Sequence, residues 1–489
     1  MTSPPASPRL VIDTRPLWRV LFSRTSHWLA MLLALAVFAS ILAAPLQGIT
    51  PPAQRTLAIF ALCAMCWATQ AIPLSATGLL VLALLPICGV MSPEETFSLF
   101  GSRAVFFILG AFIIAAAVMQ SGLSSRFAMI ILSRFGRTPT GLMLSITVLA
   151  AALSHLMPEH AVAAMLLPIV IEISRALRLR PGASRMGSGM FLGLAWGAII
   201  GGIATFLGGA RNVLAVEILQ RTTGQSIGFL EFWRASFPVV LLMLGALIGI
   251  LLTMFRPEIV STGPAQEVLR ARLRQMGRMS LEERMTGVVL AVTVIGWVVS
   301  EHVHLDIAVV ALAGAVSLFA LRVISWQDVE RHVNWGIILM YGGAIALGQA
   351  MDSEHTGAAE WLARSVLSDS LFAHSILTVI TLAAMALLLT EGLSNAAVVA
   401  MIMPIALDVA LRLDVDPALM VYAVALPAGL AFTLPIASPP NALVHSTGHV
   451  RMRHFLTAGP LINVISLVAV TLVAIFHWGS ILGLFEATP

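Results

Sequence analysis

Lysine is missing from this chain: all 28 basic residues among its 489 are arginine. A phosphate-gripping lysine of the Walker type is therefore excluded, and with it the simplest route to ATP-driven work by this chain alone. Charge of either sign is scarce, at 11% of residues, and the net charge is +4. The arginines concentrate in short segments between apolar runs, where membrane topology accounts for them, so they give no sign of a nucleic-acid partner. Cysteine is also sparse, with three residues. Cys63 and Cys66 have C-x-x-C spacing, but they and Cys88 sit inside apolar runs, which favours small buried side chains over redox chemistry.

What is plentiful is apolar. The chain is 58% hydrophobic with a mean hydropathy of +0.94, the composition of an all-α polytopic membrane protein. Walking the runs with the side alternating predicts about 11 transmembrane spans. A cytoplasmic N-terminal tail (1–26) precedes scaffold spans (27–121), with Ser92 to Ser102 read as an external loop. A first hairpin, a broken span and a further span follow (122–255), then a cytoplasmic basic loop (256–285) and more scaffold spans (286–350). A second hairpin, a second broken span and a last span complete the chain (351–489).

The hairpin reading starts from Gly141 to Ser174, an apolar run interrupted by His155-Leu156-Met157-Pro158-Glu159-His160. A carboxylate at the centre of a lipid-facing helix costs on the order of 3 kcal/mol, and the proline beside it exposes backbone that lipid cannot satisfy. The run is too long for one span of about 20 residues and too short for two. Arginines flank both ends, Arg126, Arg134 and Arg137 before and Arg175, Arg178, Arg180 and Arg185 after, so both ends belong on the cytoplasmic side. The run is expected to dip into the membrane and return, with Pro158 to His160 at its tip.

About 236 residues later the pattern recurs. Ala161 to Ile169 (AVAAMLLPI) aligns with Ala397 to Ile405 (AVVAMIMPI), and the second tip is Glu391-Gly392-Leu393-Ser394-Asn395-Ala396. Its flanks carry Asp369, Asp414 and Asp416 against Arg364 and Arg412, so it is expected to enter from outside. Val105 to Gly110 parallels Ile337 to Gly342, and a Gly-rich break before Asn212 parallels the Pro-Pro break before Asn441. Two hairpins and two broken helices of opposite orientation form an inverted repeat, an architecture that places a site near the midplane. Glu391 is expected to bond the backbone of its own hairpin, and Gly193 to Gly197 to let helices pack closely. His155, Glu159 and His160 miss the H-x-x-E-H zinc-protease spacing by one residue, with no further ligand motif.

Thr390-Glu391-Gly392-Leu393-Ser394-Asn395 and Ser438-Pro439-Pro440-Asn441-Ala442, followed by Gly448-His449, resemble the second-half motifs of the divalent anion:sodium symporter family. The resemblance covers essentially residues 30 to 480. It implies a secondary active transporter of small anions such as dicarboxylates or tricarboxylates, working as a homodimer by an elevator movement. In that family a Ser-Asn-Thr at each tip and a Thr-Pro-Pro-Asn-like run at each break together hold two sodium ions and the substrate carboxylates. This chain departs at the first tip (Pro158-Glu159-His160), at the first break (Gly209-Ala210-Arg211-Asn212) and at Ala396, which replaces a threonine.

The resemblance and the residues together give the expected site: Glu159, His160, Arg211, Asn212, Ser394, Asn395, Pro440 and Asn441 for substrate, and Ser394, Asn395, Ala437 and Ser438 for sodium. Arg211 is open to two readings. It pairs permanently with Glu159, or it binds the anion while Glu159 or His160 titrates and couples transport to protons or exchange. No catalytic residue and no cofactor beyond sodium is expected; the partners are a small anion, membrane lipid and a second copy of the chain, in a bacterial inner membrane. The alternatives are a sulfate or sulfonate carrier, an arsenite exporter or sodium/proton antiporter of the same superfamily, and a membrane sensor or structural protein.

Overall fold

Apolar runs of this length have one economical solution in a bilayer, helices that satisfy every backbone group internally. The computed structural model describes residues 17–300, 302–352, 355–366 and 375–478, and these are helical with no strand among them. The first helix, Leu17–Ala43, begins inside the segment read as a tail, because no glycine or proline interrupts Leu17 to His27. The rest of the expected tail, the start of the second hairpin and residues 479–489 lie outside the described residues.

Among the described residues four helices are long and apolar enough to cross a membrane, and the pair Trp326–His332 and Trp335–Met351 is bent by 69°. The expected count of about 11 also includes shorter and broken helices, which length alone does not assign as spans. Two segments read as loops contain helices. Ser92 caps Pro93–Phe100 by accepting from the Glu95 N–H at 3.2 Å, with Glu94 and Glu95 in the electropositive first turn. The basic segment contains the amphipathic helix Gly263–Met276, packed on Leu123–Phe135. Arg126 fastens that contact: it donates to Glu283 (2.8 Å) and to the carbonyls of Gly277 (2.8 Å) and Met276 (3.1 Å).

The two hairpins form where the run was interrupted. The first has a leading arm, Pro139–Leu153, and a return arm, Glu159–Ala176; the second has Ser375–Thr390 and Asn395–Arg412. Pro158 ends the first turn in extended backbone (φ −56°, ψ 137°) from which the return arm starts. Each broken span likewise has two halves, Arg185–Gly202 and Ala210–Thr223 in the first, Pro417–Ala425 and Pro439–Ser446 in the second.

Packing follows one scheme twice. Both arms of each hairpin lie on the leading half of their own broken span, and each return arm also meets the trailing half of the other broken span. Outside this body, Leu74–Ile87 packs on Trp335–Met351, and Arg103–Gln120 on Ile307–Ala320, each pairing an early helix with a late one. Glycine spacing sets the first hairpin's approach: a Cβ at Gly193, Gly197 or Gly201 would overlap the leading arm at Thr147, Thr147 and Ala151 in turn. The close-packing role read for Gly193 and Gly197 is thus met, against the Thr147 side chain at Gly193 and its backbone at Gly197.

Candidate functional site

Both hairpin tips and both helix breaks open on one cavity of about 740 Å³. The first tip contributes Pro158, Glu159 and His160, the second Gly392 to Ala396; the breaks contribute Gly208 to Arg211 and Ile436 to Pro439. Four helices begin at this wall, at Glu159, Ala210, Asn395 and Pro439; the first three bring first-turn N–H groups to it, whereas Pro439 and Pro440 have none to give. Only Ser394 supplies a side-chain cap, accepting from the Ala397 N–H at 3.2 Å. The caps at Pro158, Gly209 and Ser438 make no such bond. Converging, uncapped N-termini favour negative charge.

The charged part of the site is one buried pair. Arg211 donates from Nη1 (3.2 Å) and Nη2 (3.3 Å) to the same Glu159 oxygen, and the residues are 4% and 5% exposed. The Glu159 N–H is also held, donating to the Gly208 carbonyl at 3.0 Å. Room for the pair comes from three glycines. A Cβ at Gly202 would overlap the Glu159 carboxylate, one at Gly209 would stand 2.5 Å from Arg211 Nη1, and one at Gly429 would overlap the guanidinium. Gly429 belongs to the second broken span, so Arg211 reaches from one repeat into the other.

Asn212 and Asn441 do not reach the cavity wall. Each is fully buried behind its break and donates to two upstream carbonyls: Asn212 to Gly202 (3.3 Å) and Thr205 (2.7 Å), Asn441 to Ala431 (3.0 Å) and Leu434 (3.3 Å). The offsets, 10 and 7 residues, are identical. These asparagines hold broken backbone in shape, replacing the helix bonds that the breaks lose. Pro440 is buried as well and does not line the cavity. Glu159, His160, Arg211, Ser394, Asn395, Ala437 and Ser438 do line it. His160 also stands edge-on to Phe112, with centroids 6.4 Å apart.

At the second tip, Thr390 Oγ1 lies 2.8 Å from Asn395 Oδ1 and 2.7 Å from the Ala428 carbonyl. One hydroxyl proton cannot serve both. With the proton on Ala428, the contact is satisfied when the Asn395 amide turns its Nδ2 to Thr390, which frees Oδ1 as an acceptor. Ser438 Oγ, on the cavity wall, is buried without a hydrogen-bond partner among the described residues, as are Asn441 Oδ1 and its counterpart Asn212 Oδ1 behind the two breaks. A neutral oxygen on the wall, such as Ser438 Oγ, suits a small hard cation.

Glu391 corrects an expectation. It does not bond its own hairpin; it accepts the N–H groups of Phe432 (2.9 Å), Thr433 (2.9 Å) and Leu434 (2.9 Å) at the second break, and Asn463 Nδ2 at 2.6 Å. A carboxylate in a nest of three backbone donors fixes the unwound segment to the hairpin. Sequence reasoning missed Gln70, Ser75, Asn334 and Tyr341, all on the cavity wall. Tyr341 carried a signal, standing beside Gly342 in the repeated segment of a chain with two tyrosines. Gln70 had none: it ends Pro51–Thr69 in left-handed backbone (φ 51°), which only the fold places at the site.

Comparison with known proteins shows the family. A family model described as the sodium:sulfate symporter transmembrane region matches residues 25–485. The sodium-dependent dicarboxylate transporter SdcS of Staphylococcus saprophyticus is 28% identical over 459 residues, 88% of each chain. That of Staphylococcus aureus is 26% identical over 453 residues, 88% of this chain and 86% of the relative. Among solved structures, the YdaH transporter of Alcanivorax borkumensis matches with a TM-score of 0.53 at 14% identity, over 79% of this chain and 88% of that one, a likeness of fold alone.

Proposed function

The chain belongs to the sodium:sulfate symporter transmembrane family, and from that premise we propose that it is a sodium-coupled carrier of small dicarboxylate anions. Membership makes it an integral multi-pass membrane transporter and not an enzyme. The observation that carries the anion reading is the meeting of three donor-bearing helix N-termini, those at Glu159, Ala210 and Asn395, at one cavity. The dicarboxylate reading is supported by two features: curated relatives are sodium-dependent dicarboxylate transporters, and both hairpin tips contribute polar groups to the cavity. One substrate carboxylate faces the first-turn N–H groups near His160, the other those near Ser394 and Asn395. Sodium is taken by the neutral oxygens of Ser394, Asn395 and Ser438 with the carbonyls of the second break, Ala437 included.

In this reading the two hairpins and two broken spans move together as an elevator against the scaffold helices, within a homodimer in a bacterial plasma membrane, the N-terminus cytoplasmic. The shared packing of hairpins on each other's broken spans supports one moving body, because a rigid unit is what an elevator displaces. Uptake of labelled succinate, citrate and sulfate into proteoliposomes, with and without sodium and a pH gradient, tests the proposal. Saturable succinate uptake stimulated at least about tenfold by sodium is expected. Uptake of none of the three anions, or uptake indifferent to sodium, overturns it.

A further inference from the structure

We propose that Arg211 is a built-in cation of the first repeat, so that this half takes no sodium and the carrier moves a single sodium ion, bound by the second repeat, with each anion. The inference rests on the transport reading above and adds to it the number of coupling ions. Its ground is the match between the two breaks. Asn212 and Asn441 make the same bonds at the same offsets, which places Gly209 where the other repeat has Ser438. The aligned return arms likewise place Glu159 where the other has Asn395.

In the second repeat these positions offer oxygens and no charge: Ser438 Oγ has no hydrogen-bond partner among the described residues, and the Asn395 side chain meets the Thr390 hydroxyl. At the first break the serine's place is bare glycine, and the guanidinium of Arg211 fills it, with Nη1 at 2.5 Å from where a Cβ on Gly209 would stand. The asparagine's place is a carboxylate that accepts two N–H groups from that guanidinium. The buried guanidinium and its carboxylate therefore occupy the place that a sodium ion and its ligands would need, and sodium could enter only by parting the pair. Gly202 and Gly429 are the second, independent sign, since each clears space for this pair and would collide with it if given a side chain. Because Glu159 cancels the charge of Arg211, the pair adds nothing to the charge moved, and one sodium with a divalent anion leaves one negative charge to cross.

The test uses the full-length chain in proteoliposomes with radiolabelled sodium and succinate. In the wild type the flux ratio is expected to be one sodium per succinate, the sodium dependence hyperbolic with a Hill coefficient of about one, and uptake accelerated by an inside-positive potential. The paired variant Glu159→Asn/Arg211→Ala, made together with Gly209→Ser so that the first repeat carries the neutral amide and hydroxyl of the second, is expected to show a Hill coefficient approaching about two and a flux ratio above one. Two sodium ions per succinate in the wild type overturn the inference, as does a folded paired variant with unchanged ratio and Hill coefficient. If that variant does not fold, the wild-type ratio still decides. Absence of sodium-driven uptake in the wild type refutes the transport reading itself, whereas a wild-type ratio of two leaves that reading standing and removes only the role given to Arg211.

Discussion

Asn212 and Asn441 bind carbonyls 10 and 7 residues upstream in the same way, yet the cavity in front of them differs. The first repeat faces it with a buried carboxylate and guanidinium, the second with an amide and a hydroxyl. The backbone of a repeat and the chemistry of its site thus diverge separately. Broken helices need internal donors wherever they occur in a membrane, so the asparagines stay behind the breaks while the residues in front of them vary.

The sharpest way to break this comparison is to remove one member of the charged pair. Arg211→Ala strands Glu159 in a buried site and is expected to cost about 3–5 kcal/mol and to abolish uptake, read from thermal unfolding in detergent and from proteoliposome flux. Removing neutral groups from the other tip should behave differently: Ser394→Ala/Asn395→Ala is expected to raise the sodium concentration for half-maximal uptake at least about tenfold, with less than about 2 kcal/mol lost. Comparable destabilisation by the two changes would erase the distinction between the repeats.

Gly429→Ala asks whether the first repeat's cation truly leans on the second. Its new methyl group overlaps the Arg211 guanidinium, and a loss of about 1–3 kcal/mol is expected, relieved when Arg211 is also replaced by alanine. Asn212→Ala and Asn441→Ala sharpen the likeness instead. Each removes two bonds to buried carbonyls and should lose a similar amount, about 1–3 kcal/mol, by the same thermal measurement. Unequal losses would show that the two breaks are held by different means.

The smallest effect is expected far from the cavity, at the start of the helix Leu281–Val299, before its apolar stretch. Burial alone would raise the Glu283 carboxyl, but the hydrogen bond and charge of Arg126 with the Ser280 N–H hold it below the usual carboxylate range. A lowered folded value means stability that is present above the unfolded value of about 4.3 and lost as acidification passes through the folded one. Glu283→Gln should therefore flatten the fall of the unfolding temperature below about pH 5. An unchanged slope would remove the Arg126 clamp from the account of stability.

Much of this was legible in order of residues. The interrupted run at Pro158 and its counterpart at Ser394 announced hairpins, because a helix in lipid tolerates neither a buried carboxylate nor a turn. Glu159 stood out for the same reason, and Arg211 as a departure from the family's motif at the first break. The roles of the asparagines were not legible, since a buried amide serving backbone and one serving a ligand look alike in sequence. Nor was Glu391, whose partners lie more than forty residues away on another element.

By itself the sequence determined that the chain is a helical membrane protein with two related halves, and where its helices must break. That follows from local physics: hydropathy, proline and unpaired backbone act within a few turns of chain. Only the tertiary structure decided that both tips and both breaks face one cavity, that Gly202, Gly209 and Gly429 clear space for a single buried ion pair, and that Asn212 and Asn441 stand behind the site. Those facts depend on contacts between residues as far apart as Arg211 and Gly429, and no local preference encodes such a distance.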